Sequence, residues 1–115
     1  MPEFLVDTDV LIDHLRIGSG LPTPPERTAY SSLTRAELYA GRHVDEAVVD
    51  DLLSILSEVP VDRPIAEEGG RLRRAHGIGL ADAIIAATAI VTGRTLLTRN
   101  DRDFRSVRGL RRRSP

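Results

Sequence analysis

Phe4-Leu5-Val6-Asp7-Thr8-Asp9-Val10-Leu11-Ile12 is the stretch that decides the fold. Glu3 to Val6 is a short, largely apolar run of strand length, and it stops at Asp7. Thr8 or Asp9 then caps a helix carrying Val10, Leu11, Ile12 and Leu15. The same arrangement recurs along the chain. Glu37 follows Ala29-Tyr30-Ser31-Ser32-Leu33, Asp82 follows Ile78-Gly79-Leu80-Ala81, and Asn100 follows Thr95-Leu96-Leu97-Thr98. Strands that alternate with helices imply an α/β fold of three layers, a central, mainly parallel sheet flanked by helices. Such a sheet offers ligands the crevice beyond its strand carboxyl ends. Carboxylates gathered there repel one another unless a hard divalent cation neutralises them. The pattern points to a Mg²⁺- or Mn²⁺-dependent hydrolase.

The remaining elements follow from period and punctuation. Gly18 to Pro25 is a loop, since its Gly and Pro residues sustain neither period. Arg27 to Ser32 reads as a strand, and Thr34 to about Gly41 as a helix. Val44 to Val59 has apolar residues at 48, 52, 55, 56 and 59, a helical spacing, with a short strand at Val59 to Val61. Pro64 to His76 is a weaker helix, softened by Gly69-Gly70. Asp82 to Thr92 is a nearly all-apolar helix with Gly93 as its stop. Thr95 to Thr98 is a strand, Asp101 to Arg105 a turn or short helix, and Val107 to Leu110 a last strand.

Composition narrows the function classes. The 115 residues, 41% of them hydrophobic, suit a single domain, residues 1–115, with a basic tail from about 105 to 115. There is no cysteine, hence no disulfide framework and no thiolate zinc site, which fits a reducing, cytoplasmic setting. No apolar run approaches about 18 residues, so no membrane partner is expected. The N-terminus lacks the pattern of a secretory signal. The net charge of −1 hides an asymmetry, with −7 on residues 1–93 and +6 on residues 94–115. Arg99, Arg102, Arg105, Arg108 and Arg111 to Arg113 make a basic end for a polyanion or an acidic partner, or simply a solvated tail.

Each acid also has a purely local explanation. Asp7 can cap the first helix. Thr34-x-x-Glu37 has the spacing of a capping box. Asp82 can complement a helix dipole, although its neighbours Leu80, Ala81, Ala83 and Ile84 make a lone carboxylate costly there. Asn100 and Asp103 lie in a stretch of ordinary turn formers.

Four motifs in order carry a resemblance. Phe4 to Ile12, Ser32-Leu33-Thr34-Arg35-Ala36-Glu37-Leu38-x-x-Gly41, Leu80-Ala81-Asp82-Ala83-Ile84-Ile85-Ala86-Ala87-Thr88-Ala89 and Leu97-Thr98-Arg99-Asn100-Asp101-Arg102-Asp103-Phe104 resemble those of PIN-domain ribonucleases. Together they match the VapC toxins of type II toxin–antitoxin systems, from about residue 3 to residue 110. The resemblance implies a PIN-like fold and Mg²⁺- or Mn²⁺-dependent endoribonuclease activity. It implies Asp7, Glu37 and Asp82 as metal ligands and catalytic carboxylates, with Asn100 at the fourth metal position, an Asp in many relatives. Asp103 would supply the charge that Asn100 lacks, and Asp9 would act through water. The hydroxyls of Thr8, Ser32, Thr34 and Thr98 would orient ligands. The implied partners are RNA (transfer RNA being the commonest expectation), a VapB-type antitoxin and a second copy in a homodimer. Arg99 and Arg102 are placed to hold RNA phosphates. Gly18 to Pro25 replaces a helix that the family usually has.

Three other readings compete. One is a housekeeping RNA-processing PIN nuclease and another an inactive PIN-like binding module. The third, a receiver-type phosphorylation switch, needs a Lys at its last strand, and this chain has none.

Overall fold

A computed structural model describes residues 2–115. Five strands form one sheet in the order β3-β2-β1-β4-β5, and every neighbouring pair is parallel. They are β1 (Phe4–Val6), β2 (Thr28–Ser31), β3 (Ser57–Val59), β4 (Thr95–Leu97) and β5 (Arg112–Arg113). The helices are α1 (Thr8–Ile17), α2 (Ser32–Tyr39), α3 (Glu46–Ser54), α4 (Arg63–His76), α5 (Leu80–Thr92) and α6 (Asp101–Phe104), with a short 3-10 turn at Pro25–Arg27. Among the described residues no helix is long and apolar enough to cross a membrane.

β1 is central, so it is buried on both faces and reads as an uninterrupted apolar run. Alternation along the strands divides the core. Leu5, Ala29 and Leu96 lie in register and face α4, α5 and Phe104 of α6. Val6 and Tyr30 face α1, α2 and α3, through Leu11, Leu38 and Leu53. The order reverses between β1 and β4. The helix after β1 packs on one face and the helix after β4 on the other, leaving a crevice at their carboxyl ends.

α4 and α5 form a tightly packed helical pair. A Cβ on Gly69 would lie 3.0 Å from Ile84 Cγ1 and 3.3 Å from its Cα, whereas one on Gly70 would meet nothing within 4 Å. Gly69 is therefore a close-approach residue, not a weak point in α4. Gly93 ends α5 in the left-handed conformation, φ 70°, as its position predicts.

Four expectations need correction. The strand expected at Val59 to Val61 lies at Ser57–Val59, and α3 is shorter than Val44 to Val59. Asp45 fixes its start by accepting from the amides of Ala47 and Val48. The buried stripe is consequently Val49, Leu52, Leu53 and Leu56, with Val48 and Ile55 in solvent. Val107 to Leu110 is not a strand, because Val107 and Leu110 turn into the core beside Phe104. The last strand is Arg112–Arg113, paired with Leu96 and Leu97. The last arginines are thus not a loose tail, whereas Arg102, Arg105 and Arg108 of the basic end are exposed. Arg111 donates to the Gly93 carbonyl at 2.5 Å, Arg112 pairs with Asp101 at 2.5 Å, and Arg113 lies over the Phe4 ring.

Candidate metal centre at the sheet crevice

Asp7 stands where β1 ends and α1 begins. Its amide donates to the Leu97 carbonyl at 2.9 Å, tying it to β4. Its side chain caps α1, with Oδ1 accepting from the Thr8 amide at 2.8 Å. Oδ2 accepts from the Thr98 hydroxyl, also at 2.8 Å, across the β1–β4 crevice. Asp7 is therefore a cap, as local reading allowed, but a buried one held at the switch point of the sheet. Burial raises its pKa from 3.8 to about 7, with Asp9 and then Asp82 adding to the rise against the two hydrogen bonds.

The hydroxyls of the site form a relay between elements. Thr8 donates to Glu37 Oε1 at 2.6 Å, which leaves its oxygen to accept from the buried Thr34 hydroxyl at 3.0 Å. Thr98 accepts from the Asn100 amide at 3.0 Å while donating to Asp7. Ser32 accepts from the Val61 amide instead, on the opposite side of α2.

Glu37 is not part of a capping box. α2 begins at Ser32, capped by Ser31 through the Leu33 amide, so Thr34 lies inside the helix and Glu37 lies beyond its first turn. Asp82 follows no strand. It rides on the first turn of α5, whose N-cap is Gly79, and makes no cap bond. Burial raises its pKa, followed by the charges of Asp103, Glu37 and Asp9. The fold thus brings acids from α1, α2, α5 and α6 within electrostatic reach of one another.

Asn100 and Asp103 pair. Asn100 caps α6 by accepting from the Asp103 amide at 3.3 Å, and its Nδ2 donates to Asp103 Oδ2 at 2.9 Å. Arg99 turns to α1, with Nε 2.9 Å from Asp13 Oδ2 and its amide donating to Asp9 Oδ2 at 3.2 Å. Arg102 is exposed on α6 and has no ion pair among the described residues. Sequence spacing gave no signal for the Asp13–Arg99 pair or for the Thr98–Asp7 contact.

The donor set fits a hard cation chemically. Its members are carboxylates and hydroxyls, Asp7, Asp9 and Asp82 are all held above the usual carboxylate range, and Asp9 Oδ1 is buried with no hydrogen-bond partner. The side chains are not drawn into a shell, since among the described residues no three such groups stand close enough to hold a metal ion as they are.

The comparisons with known proteins agree with this architecture. The PIN domain matches residues 4–110. Ribonuclease VapC19 of Mycobacterium tuberculosis is 39% identical over 113 residues, 87% of this chain and 90% of that protein. A toxin-antitoxin complex from Klebsiella pneumoniae contains a chain 32% identical, with TM-score 0.77 over 92% of this chain and 93% of that one. DNA-bound VapBC from Salmonella typhimurium contains one 25% identical, with TM-score 0.87 over 99% of this chain and 98% of that one. The chain belongs to the PIN-domain family, in its VapC branch.

Proposed function

We propose that this protein is a divalent-metal-dependent endoribonuclease, the toxin of a VapBC-type toxin–antitoxin pair, which hydrolyses RNA phosphodiesters at the crevice between β1 and β4. Asp7, Glu37 and Asp82 hold the cation, Mg²⁺ or Mn²⁺, with Asn100 at the edge of the site. The observation that carries the reading is Asp7, a buried carboxylate at the switch point whose burial and acidic neighbours hold its proton until a cation replaces it. When bound, such an ion lowers the pKa of water and stabilises charge on a phosphate.

The chain's own groups do the rest. Thr98 fixes the rotamer of Asp7 from β4, and Thr8, itself fixed by Thr34, aims Glu37. Asp103, whose charge reaches Asp82, is the acid left to take a proton from water on the α6 side. Base stacking contributes little to RNA recognition. Phe4, Tyr30 and Phe104 are buried, and Tyr39 is bonded to Asp50. Phosphates and RNA shape are left as the determinants, with Arg102 the free cation nearest Asp103 in sequence. The test is cleavage of RNA by the purified protein, in the presence of EDTA and after adding back Mn²⁺. Activity that EDTA abolishes and Mn²⁺ restores is expected, and full activity in EDTA would refute the metal reading.

A further inference from the structure

We infer that Asp9 is a further metal-facing carboxylate of this centre and supplies the negative charge that the fourth position, Asn100, lacks. The inference rests on the metal reading above and assigns a role within it.

Three observations separate Asp9 from Asp103, the other acid near the fourth position. The first is engagement. Asp103 Oδ2 already accepts from Asn100 Nδ2 at 2.9 Å, and the Asp103 amide is held by Asn100 Oδ1, so this pair is a self-contained cap of α6. The second is the unused oxygen. Asp9 Oδ2 accepts from the Arg99 amide at 3.2 Å, but Oδ1 is buried and unpartnered. An anionic oxygen removed from water without a donor is costly, and it calls for either a cation or a proton. The third is placement. Asp9 follows Asp7 by two residues on the first turn of α1, at the carboxyl end of the central strand β1. The Arg99 guanidinium pairs through Nε with Asp13, and its charge also acts on Asp9, although burial outweighs it there. A cation held at Asp7 would therefore lie close to a carboxylate whose buried Oδ1 makes no hydrogen bond.

Asp9→Asn isolates the charge, since the amide keeps an oxygen for the Arg99 N–H. Mn²⁺ binding to the whole protein is measured by calorimetry for wild type, Asp7→Asn, Asp9→Asn and Asp103→Asn, with melting curves in EDTA for each. Asp9→Asn should weaken Mn²⁺ binding at least tenfold and melt no lower than wild type in EDTA, while Asp103→Asn changes affinity less than threefold. Mn²⁺ affinity within threefold of wild type in Asp9→Asn would overturn the inference and assign Oδ1 a proton instead. So would a lower melting temperature in EDTA, or an equal loss in Asp103→Asn. A wild-type protein that takes up no Mn²⁺ would overturn the proposed function itself, a result distinct from loss in Asp7→Asn without loss in Asp9→Asn.

Discussion

Two acidic clusters border the sheet, one along the edge strand β3 and one at the carboxyl end of β1, and they are built on opposite principles. In the first, Glu58 of β3 accepts from Arg35 Nε at 2.7 Å and from the Tyr30 hydroxyl at 2.8 Å, while Arg35 also reaches Asp50 of α3. The Arg35 guanidinium holds the Glu58 carboxyl below its usual range. In the second, around Asp7, the nearest guanidinium, Arg99, pairs with Asp13, and burial, with repulsion from neighbouring acids, pushes Asp7, Asp9 and Asp82 upward against it. The first cluster spends its carboxylates on joining β2, α2, α3 and β3. The second loses stability to keep its carboxylates together. Acids maintained at such a cost in one crevice are retained for a ligand that relieves them.

The largest expected effect breaks the crevice cluster alone. Asp7→Asn and Asp82→Asn should each lower RNA cleavage by more than about a thousandfold and raise metal-free stability, because each removes a repelling charge at constant volume. Cleavage assays and melting curves in EDTA check both halves. Wild-type cleavage by either variant would remove that residue from the metal site.

Glu37→Gln sharpens the comparison. Gln still accepts the Thr8 hydroxyl but brings no charge to a cation. Cleavage should fall by more than tenfold, with stability changed by less than about 0.5 kcal/mol. An active Glu37→Gln protein would make Glu37 a partner for Thr8 and nothing more.

Arg35→Ala is the mirror experiment in the structural cluster. It leaves Glu58 and Asp50 without their cation, so chemical denaturation should show a loss of about 1–2 kcal/mol, with kcat for RNA cleavage unchanged. A kcat that falls with stability intact would mean that the two clusters are not separate devices.

The smallest effect lies far from either cluster. Gly70→Ala should stabilise α4 by about 0.5–1 kcal/mol, since a methyl there meets nothing, and Gly69→Ala should destabilise by about 1–3 kcal/mol through its clash with Ile84. Equal effects on the denaturation midpoint would contradict the close approach of α4 and α5.

Much of this was legible in the sequence where one element decides the outcome. Phe4 to Ile12 carried the strand, the acid and the helix together, and their order alone implied an Asp7 at a strand's carboxyl end. What was not legible depends on partners far apart in the chain. Thr98 meets Asp7 across 91 positions because β1 and β4 are neighbours in the sheet. Asp82 rides on a helix, as expected, but the apolar run before it is a loop and that helix's own first turn and not a strand, since a four-residue apolar run looks the same in either. β5 escaped notice because two arginines pair through their backbone and carry no strand-like side chains. The capping box at Thr34 was misleading because Ser31, three residues earlier, took the cap.

The most direct measurement is thermal unfolding of wild type and Asp7→Asn from pH 5 to pH 8, each in EDTA and in Mn²⁺. The Asp7 carboxyl titrates near 3.8 in the unfolded chain and at about 7 in the fold. Between those values the folded state holds a proton that the unfolded state has released. The stability this proton confers is fully present below about 3.8 and is lost as the pH rises through about 7. In EDTA the wild-type melting temperature should therefore fall relative to that of Asp7→Asn as pH rises from 5 to 7, then level off. Above pH 7 Mn²⁺ should restore the wild type by several degrees and leave Asp7→Asn nearly unmoved. Parallel pH curves in EDTA, or an equal Mn²⁺ shift in both proteins, would contradict a cation site centred on Asp7.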